Sequence, residues 1–393
     1  MKKSSFIYTL CGCTLIPLSI PSTYANISFG EADTGIGQIE IGGALRAKYQ
    51  HKDYVYPTSD DDKAKFDVAI LRVNYNAQDW FGQTEYRCYQ YETLCDFSTL
   101  VSGYVGYRFD TKTQMILGLQ PIAFGPSRYW DSSFYAGINN TLGLQDILNT
   151  GLSLSTSLSE STVLDVGYFL RDGGDYRGTS KDSARYSANF IRSNDATSTD
   201  LNEKNMWIAR LRQDVDLFQH PDQSLMFGTS YWYSDIENKK TARNGSRQAW
   251  SIFAQVNYQD FTLTSTAGQL KIDNQDQALP DSSTVGSFDS EYRIANTGDF
   301  YSLDLKYDMQ THKKDMTISP YLVYSRFNKQ KQGYIDSQRH IVGTAITYKN
   351  LALYSEYILS KNDPFIGGKT NALAEGEKQD WNKLLNLTFI YSF

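Results

Sequence analysis

Leu385–Phe393 reads LNLTFIYSF, and its order decides the fold class. Leu385, Leu387, Phe389, Tyr391 and Phe393 hold every second position, with Asn386, Thr388 and Ser392 between them. A period of two puts the apolar set on one face of an extended strand and the polar set on the other. The same alternation recurs upstream: Tyr301, Leu303, Leu305 and Tyr307 are interleaved with Ser302, Asp304, Lys306 and Asp308. Trp250, Ile252, Ala254, Val256 and Tyr258 stand likewise against Ser251, Gln255 and Asn257. Ile341, Phe253 and Phe169 are exceptions, apolar residues that the pattern points to the polar side.

Working outward, alternating segments run from Gln38–Gln50 to Trp381–Phe393, and their connections are short and long by turns. That rhythm predicts an all-β transmembrane barrel of the up-and-down antiparallel kind, with about sixteen strands, tight turns at one end and longer loops at the other. An even count returns both chain ends to the same, periplasmic side. Twenty-nine Tyr, 20 Phe and 6 Trp suit such strands, whose aromatic residues gather at the membrane interfaces. The mean hydropathy of −0.47 does not argue against a membrane, because faces turned to lipid and to water average out. Beyond the N-terminus there is no apolar run of the roughly 20 residues a membrane helix requires.

The N-terminus reads as an export signal. Lys2 and Lys3 precede an apolar stretch from Phe6 to Ile20, and Thr23-Tyr24-Ala25 offers small-residue cleavage after Ala25. A lipoprotein box at Leu10-Cys11-Gly12-Cys13 is the rival reading, with too little apolar sequence before it. The expected organisation is residues 1–25 signal, 26–37 a short periplasmic segment and 38–393 barrel. Cleavage leaves 36 basic against 44 acidic side chains, a formal −8, which disfavours nucleic acid as a partner.

Cys88 and Cys95 flank a hairpin tip and would meet an oxidising periplasm. A disulfide and two free thiols are the alternatives. No histidine spacing there suits a metal, and no cofactor motif occurs. The acidic run Asp60-Asp61-Asp62 reads either as a solvated loop or as a cation contact at the lipopolysaccharide surface. His51, His220, His312 and His340 lack a nucleophile or acid at usable spacing, so no catalytic residue is assigned and an enzyme is not expected.

In a barrel of this kind chemistry lies in the lumen wall. Alternation turns Arg46, Lys48, Arg72, Arg87 and Arg108 inward on the first strands, together with Glu40, Glu85 and Asp110. The cations form either a stripe attracting anions or ordinary wall ion pairs. The connection Pro121–Asn149 is too long for a turn and carries Phe124, Tyr129, Trp130, Phe134, Tyr135, Leu142, Leu144 and Ile147. Folding it into the lumen would bury that surface and bring Arg128, Tyr129, Asp131 and Asp146 toward the wall cations as a constriction. A lid on the outer rim or a contact between protomers is the alternative. The remaining long connections, Gly173–Asn205, Asn274–Asn296 and Lys361–Asp380, read as surface loops. Gly106, Gly118, Ser153, Ser155 and Gly167 imply open lumen space.

Ile39–Tyr49 (IEIGGALRAKY), Gly118–Gly125 (GLQPIAFG) and Gly143–Gly151 (GLQDILNTG), with a terminal aromatic strand, resemble the phosphate-selective porin O/P superfamily of outer-membrane porins. The resemblance implies a homotrimer of sixteen-stranded barrels, each with an inward-folded third loop and a water-filled pore for small hydrophilic solutes or ions. It does not carry phosphate selectivity, since this third loop sets Arg128 against Asp131 and Asp146 rather than building a basic funnel. The partners expected are outer-membrane lipid, lipopolysaccharide and permeating solutes. A surface receptor or adhesin with a filled lumen, and a barrel hydrolase, are the competing readings.

Overall fold

The computed structural model describes residues 27–32, 34–56, 63–173, 186–193, 195–217 and 223–393. The expected signal and its cleavage point, Asp60–Asp62 and His220 lie outside them.

Sixteen antiparallel strands close into one barrel. They are β1 (Gly37–Asp53), β2 (Lys63–Asn76), β3 (Trp80–Gln90), β4 (Leu94–Arg108), β5 (Thr113–Pro121), β6 (Leu148–Ser157), β7 (Thr162–Asp172) and β8 (Leu201–Asp216). Next come β9 (Gln223–Asn238), β10 (Arg243–Tyr258), β11 (Phe261–Asp273), β12 (Thr297–Tyr307), β13 (Met316–Lys329), β14 (Ser337–Tyr348), β15 (Leu351–Lys361) and β16 (Asn382–Ser392). The seam joins β1 to β16, from Ala44 opposite Ser392 to Asp53 opposite Lys383. Phe393 completes it by exchanging two backbone hydrogen bonds with Gly43, at 2.7 and 3.0 Å. Below that point Ile27–Glu31 takes over the same edge of β1, pairing with Gly37–Ile41. No strand edge is left open there, as a bilayer demands.

The outer wall is apolar. Leu71, Ile252, Leu303, Val342 and Phe389 are exposed, a surface that water would not tolerate and lipid does. Aromatic pairs mark the short-turn boundary, with Trp80 on Tyr107 at 4.9 Å and Phe261 on Tyr307 at 4.5 Å between ring centres. Tyr168 on Trp207, at 4.6 Å, stands toward the long-loop end.

The strands outrun their sequence signal at that end: β9 continues past Ser234 to Asn238, and β10 begins at Arg243 rather than Ala249. Above the lipid both faces are polar, so alternation fades while the hydrogen-bond ladder persists.

The inward apolar exceptions are packed, not stray. Phe169 and Ile341 are 1 % exposed and Phe253 is 4 % exposed. Several rings lie over a glycine, of the next strand for Phe81 and Phe253 and two positions away on the same strand for Phe169. A Cβ at Gly106 would stand 2.2 Å from the Phe81 ring, one at Gly167 2.7 Å from Phe169, and one at Gly228 2.6 Å from Phe253. Gly106 and Gly167 therefore hold side chains rather than open space, correcting the reading of those two positions.

The long loops also depart from expectation. Asn189–Phe190, Ser282–Ser287 and Ser290–Ala295 form a three-stranded antiparallel sheet, and Leu373 bridges to Ile294. Phe190, Val285, Tyr292, Ile294 and Leu373 pack with Phe124, Trp130, Ile138 and Leu142 against wall residues Ile208, Trp232, Leu270 and Phe300. These segments are thus an inner cap on β8–β13 rather than surface loops. Their scattered apolar residues explain it, since each large side chain removed from water contributes about 1.5–3 kcal/mol.

Candidate functional site

Loop 3, residues 122–147, leaves β5 and crosses the lumen, where Ile138–Thr141 makes a single helical turn. Ala136 and Asp146 hold left-handed φ angles of 63° and 54°, a conformation that costs a non-glycine residue about 1–2 kcal/mol. Contacts with the far wall offset that cost. Gly125 N–H donates to Ser230 Oγ at 2.9 Å, Ser132 Oγ to Asp304 at 2.7 Å and Ile138 N–H to Ser325 Oγ at 2.8 Å. Glu356 on β15 accepts the backbone N–H groups of Phe134 (2.7 Å) and Tyr135 (3.3 Å), the Tyr321 hydroxyl (2.9 Å) and the Asn386 amide (3.0 Å).

Arg339 on β14 is the deepest anchor. Its guanidinium grips both oxygens of Asp363, at 2.7 and 2.9 Å. It also donates to Ala136 O at 2.8 Å, Gly137 O at 3.2 Å and Thr141 Oγ1 at 2.9 Å. Both charges are buried, so one bidentate pair ties loop 3 to the β15–β16 loop.

With the loop held against β8–β15, the side of the lumen facing β1–β4 carries the charged groups. Asp67 bonds Arg46 and takes Lys48 Nζ at 2.6 Å. Glu85 receives Arg72 at 2.5 Å and Arg87 at 2.6 Å. Arg128 on the loop pairs with Asp146, whose second oxygen accepts the Tyr186 hydroxyl at 2.9 Å. Aromatic faces fill between: Arg46 over Phe134 at 4.8 Å, Arg87 over Tyr186 at 4.9 Å and Arg128 over Tyr129 at 5.0 Å. Burial pushes the Tyr129 and Tyr186 hydroxyls up, so both remain neutral dipoles beside the cations. Five cations face three carboxylates, a surplus of two positive charges. Arg72 and Lys48 keep 37 % and 21 % of their side-chain surface accessible, so the cluster is wetted.

Three expected positions lie elsewhere. Asp131 turns into its own loop, accepting from Ser133 at 2.5 Å, Gly137 N–H at 3.0 Å and Gln145 at 3.3 Å, and braces the fold instead of facing the wall. Arg108 is at the short-turn mouth, stacked 4.5 Å from Phe81 and bonded to Asn76 at 2.9 Å, away from the loop. Asp110 caps the β4–β5 turn through the N–H groups of Lys112 and Thr113 at 2.7 Å. Cys88 and Cys95 are joined across the β3–β4 hairpin, their Cα atoms 4.9 Å apart.

Asp67, Tyr186, Glu356 and Arg339 escaped the sequence reading. Asp67 stands at a bulge where Arg46 faces Val68 and Ala47 faces Phe66, so strict alternation misplaces it. Arg339 was within reach, two residues from Ile341 on the same inward row. Nothing local marks Tyr186. Among the described residues no group of three or more His, Cys, Asp or Glu could hold a metal ion.

Comparison with solved structures then settles the architecture. The outer membrane channel DcaP of Acinetobacter baumannii superposes with a TM-score of 0.63 at 11% identity, over 93% of this chain and 100% of that one. The chain has the fold of an outer-membrane channel barrel. Salmonella typhi OmpF, in complex with daunomycin, shares this channel-barrel fold at TM-score 0.57 and 12% identity, over 93% of this chain and 100% of that one. The trimer form of OmpT, an outer membrane protein of Vibrio cholerae, has a TM-score of 0.54 at 11% identity, covering 91% and 99%. No family model and no curated protein matches the chain. The channel-barrel likeness is therefore one of backbone, with side-chain chemistry left to be read from this molecule.

Proposed function

We propose that the chain forms a water-filled channel in the bacterial outer membrane for passive diffusion of small hydrophilic solutes, with a mild preference for anions. It acts without enzymatic chemistry and stands as a homotrimer of the phosphate-selective porin O/P type. The observation that carries this reading is the wetted cluster of Arg46, Lys48, Arg72, Arg87 and Arg128 with two positive charges in excess of Asp67, Glu85 and Asp146. Fixed charge beside low-dielectric walls concentrates counter-ions, while neighbouring carboxylates keep capture weak enough for release.

The decisive measurement is planar-bilayer recording of the purified, detergent-refolded protein. Discrete conductance steps are expected, and their absence would end the channel reading. Under a salt gradient, replacing both Arg46 and Arg72 by Ala should move the reversal potential toward cation preference, since Asp67 and Glu85 then lose two counter-charges. An unmoved reversal potential would make these arginines purely structural. The inner cap packed on β8–β13 favours a second reading, a receptor acting through its surface with the lumen filled. Silent bilayers from correctly folded protein would select it.

The hairpin bridge has its own check. Thiol titration of unfolded protein is expected to find no free thiol in the mature chain before reduction and two afterwards. Two thiols without reductant would show the pair to be open.

A further inference from the structure

We propose that the outer edge of β13–β16 is a docking surface for a phosphorylated lipid headgroup. The inference depends on the barrel standing in a bilayer and not on whether its lumen conducts. Reading outward residues toward the long-loop end, β13 passes from Leu322 through Tyr324 to Arg326, and β15 from Tyr357 through Leu359 to Lys361. On β16 Leu385 gives way to Lys383, with Trp381 just beyond the strand. On β13 apolar, aromatic and cationic residues thus follow in the order in which a membrane offers hydrocarbon, interface and headgroup, and on β15 and β16 an apolar residue likewise gives way to a cation with an aromatic ring nearby.

The register brings the cations together. Arg326 opposes Gln338, which opposes Lys361, so the two charges lie two strands apart in one row, about 10 Å. Leu359 opposes Lys383 in the next row. Aromatic surfaces fill between them: His340 stacks on Tyr324 at 4.7 Å and meets Trp381 at 5.2 Å, and Lys361 Nζ sits 4.9 Å from the Trp381 ring. Arg326 is paired with Asp336 at 2.6 Å and Lys383 with Asp53 at 2.9 Å, whereas no ion pair to Lys361 is found among the described residues.

The sign of this arc is local. The corresponding outward edge of β9–β12 carries Asp235, Glu237, Asp273 and Asp299 against Lys271, and is net acidic. The β13–β16 side sets three cations beside neighbouring aromatic shelves at headgroup height. Phosphate monoesters on a lipid fit it, because their oxygens accept from guanidinium and ammonium while the acyl chains lie along Leu322, Val342 and Leu353, all exposed.

The test is native mass spectrometry of the detergent-solubilised protein with doubly phosphorylated lipid A, against the same lipid enzymatically dephosphorylated. Retention of the phosphorylated lipid alone is expected, and equal retention of both overturns the proposal. The triple variant R326Q/K361Q/K383Q should bind about tenfold more weakly, each charge near an anionic surface contributing modestly and two being partly neutralised. Lys361→Gln breaks no described ion pair and should weaken binding about threefold if the triple variant misfolds. Lys271→Gln on β11 should change nothing; wild-type affinity in the triple variant, or an equal loss from Lys271→Gln, sinks the assignment. Inorganic phosphate at matched concentration should not displace the lipid, and displacement would mean a simple anion site. Conductance of the variants is expected to match wild type, so failure of the channel reading leaves this result interpretable.

Discussion

Replacing Arg339 by Ala should produce the largest loss of stability of any single substitution in the lumen, about 3–5 kcal/mol. The change leaves the Asp363 carboxylate buried without its counter-charge and strips donors from Ala136 O, Gly137 O and Thr141 Oγ1. Breaking a buried pair costs far more than the pair contributes, because the orphaned charge has no water to turn to. Lysine should not rescue it, since one ammonium cannot span both Asp363 oxygens and three loop acceptors. Gel mobility of unheated against heated samples, followed over a temperature series, reads the effect as a lower conversion temperature. A midpoint equal to wild type would remove Arg339 from the list of anchors. Open-channel current should also become noisier, as the left-handed turn at Ala136 loses what holds it.

The second large effect is expected at Glu356, and it should appear in the channel more than in stability. Glu356 is fully buried, and its two oxygens serve two loop N–H groups, Tyr321 and Asn386. In Glu356→Ala these four donors lose their acceptor, each buried orphan costing about 1–3 kcal/mol unless the loop shifts to find water. A shift of loop 3 at that point would carry with it Phe134, whose ring covers Arg46 and packs on Tyr354. The expected outcome is release of Phe134 from the wall, with conductance raised by about half or more and frequent sublevels, while the barrel keeps its heat-shifted migration. Glu356→Gln retains one acceptor oxygen and should fall between. Conductance and noise indistinguishable from wild type in Glu356→Ala would show that the loop is held without this carboxylate. Comparison of the two sites separates a group that holds the fold together from one that sets the aperture.

The barrel itself was legible because strand alternation repeats many times. A lipid-facing residue such as Leu303 and its neighbour Asp304 have opposite solvents, and no rearrangement of loops can exchange them without exposing the apolar row. Strand number, the short-and-long rhythm of connections and the inward fold of loop 3 all follow from that local rule with the count of large apolar side chains in residues 122–147. The wall cations Arg46, Lys48, Arg72 and Arg87 were legible for the same reason.

Their partners were not. Asp67 reaches Arg46 and Lys48 only because a bulge turns it inward, and Tyr186 reaches Asp146 only because a distant loop enters the lumen. Asp131 and Asp146 are alike in sequence terms, yet the first is consumed by its own loop's N–H groups while the second meets Arg128.

Residue order thus suffices for the class of fold and for the wall cations Arg46, Lys48, Arg72 and Arg87, since each depends on a strand and its solvents alone. Which side of the lumen stays wetted, which carboxylate answers which cation, and the filling of the other side by three loops were decided by tertiary packing. Those outcomes turn on apolar surface and buried charge brought together from segments far apart in the chain, as where Tyr292 packs on Phe365 and bonds Thr141 O. Burial energy of that kind belongs to the assembled contact, and no local period in the chain encodes it.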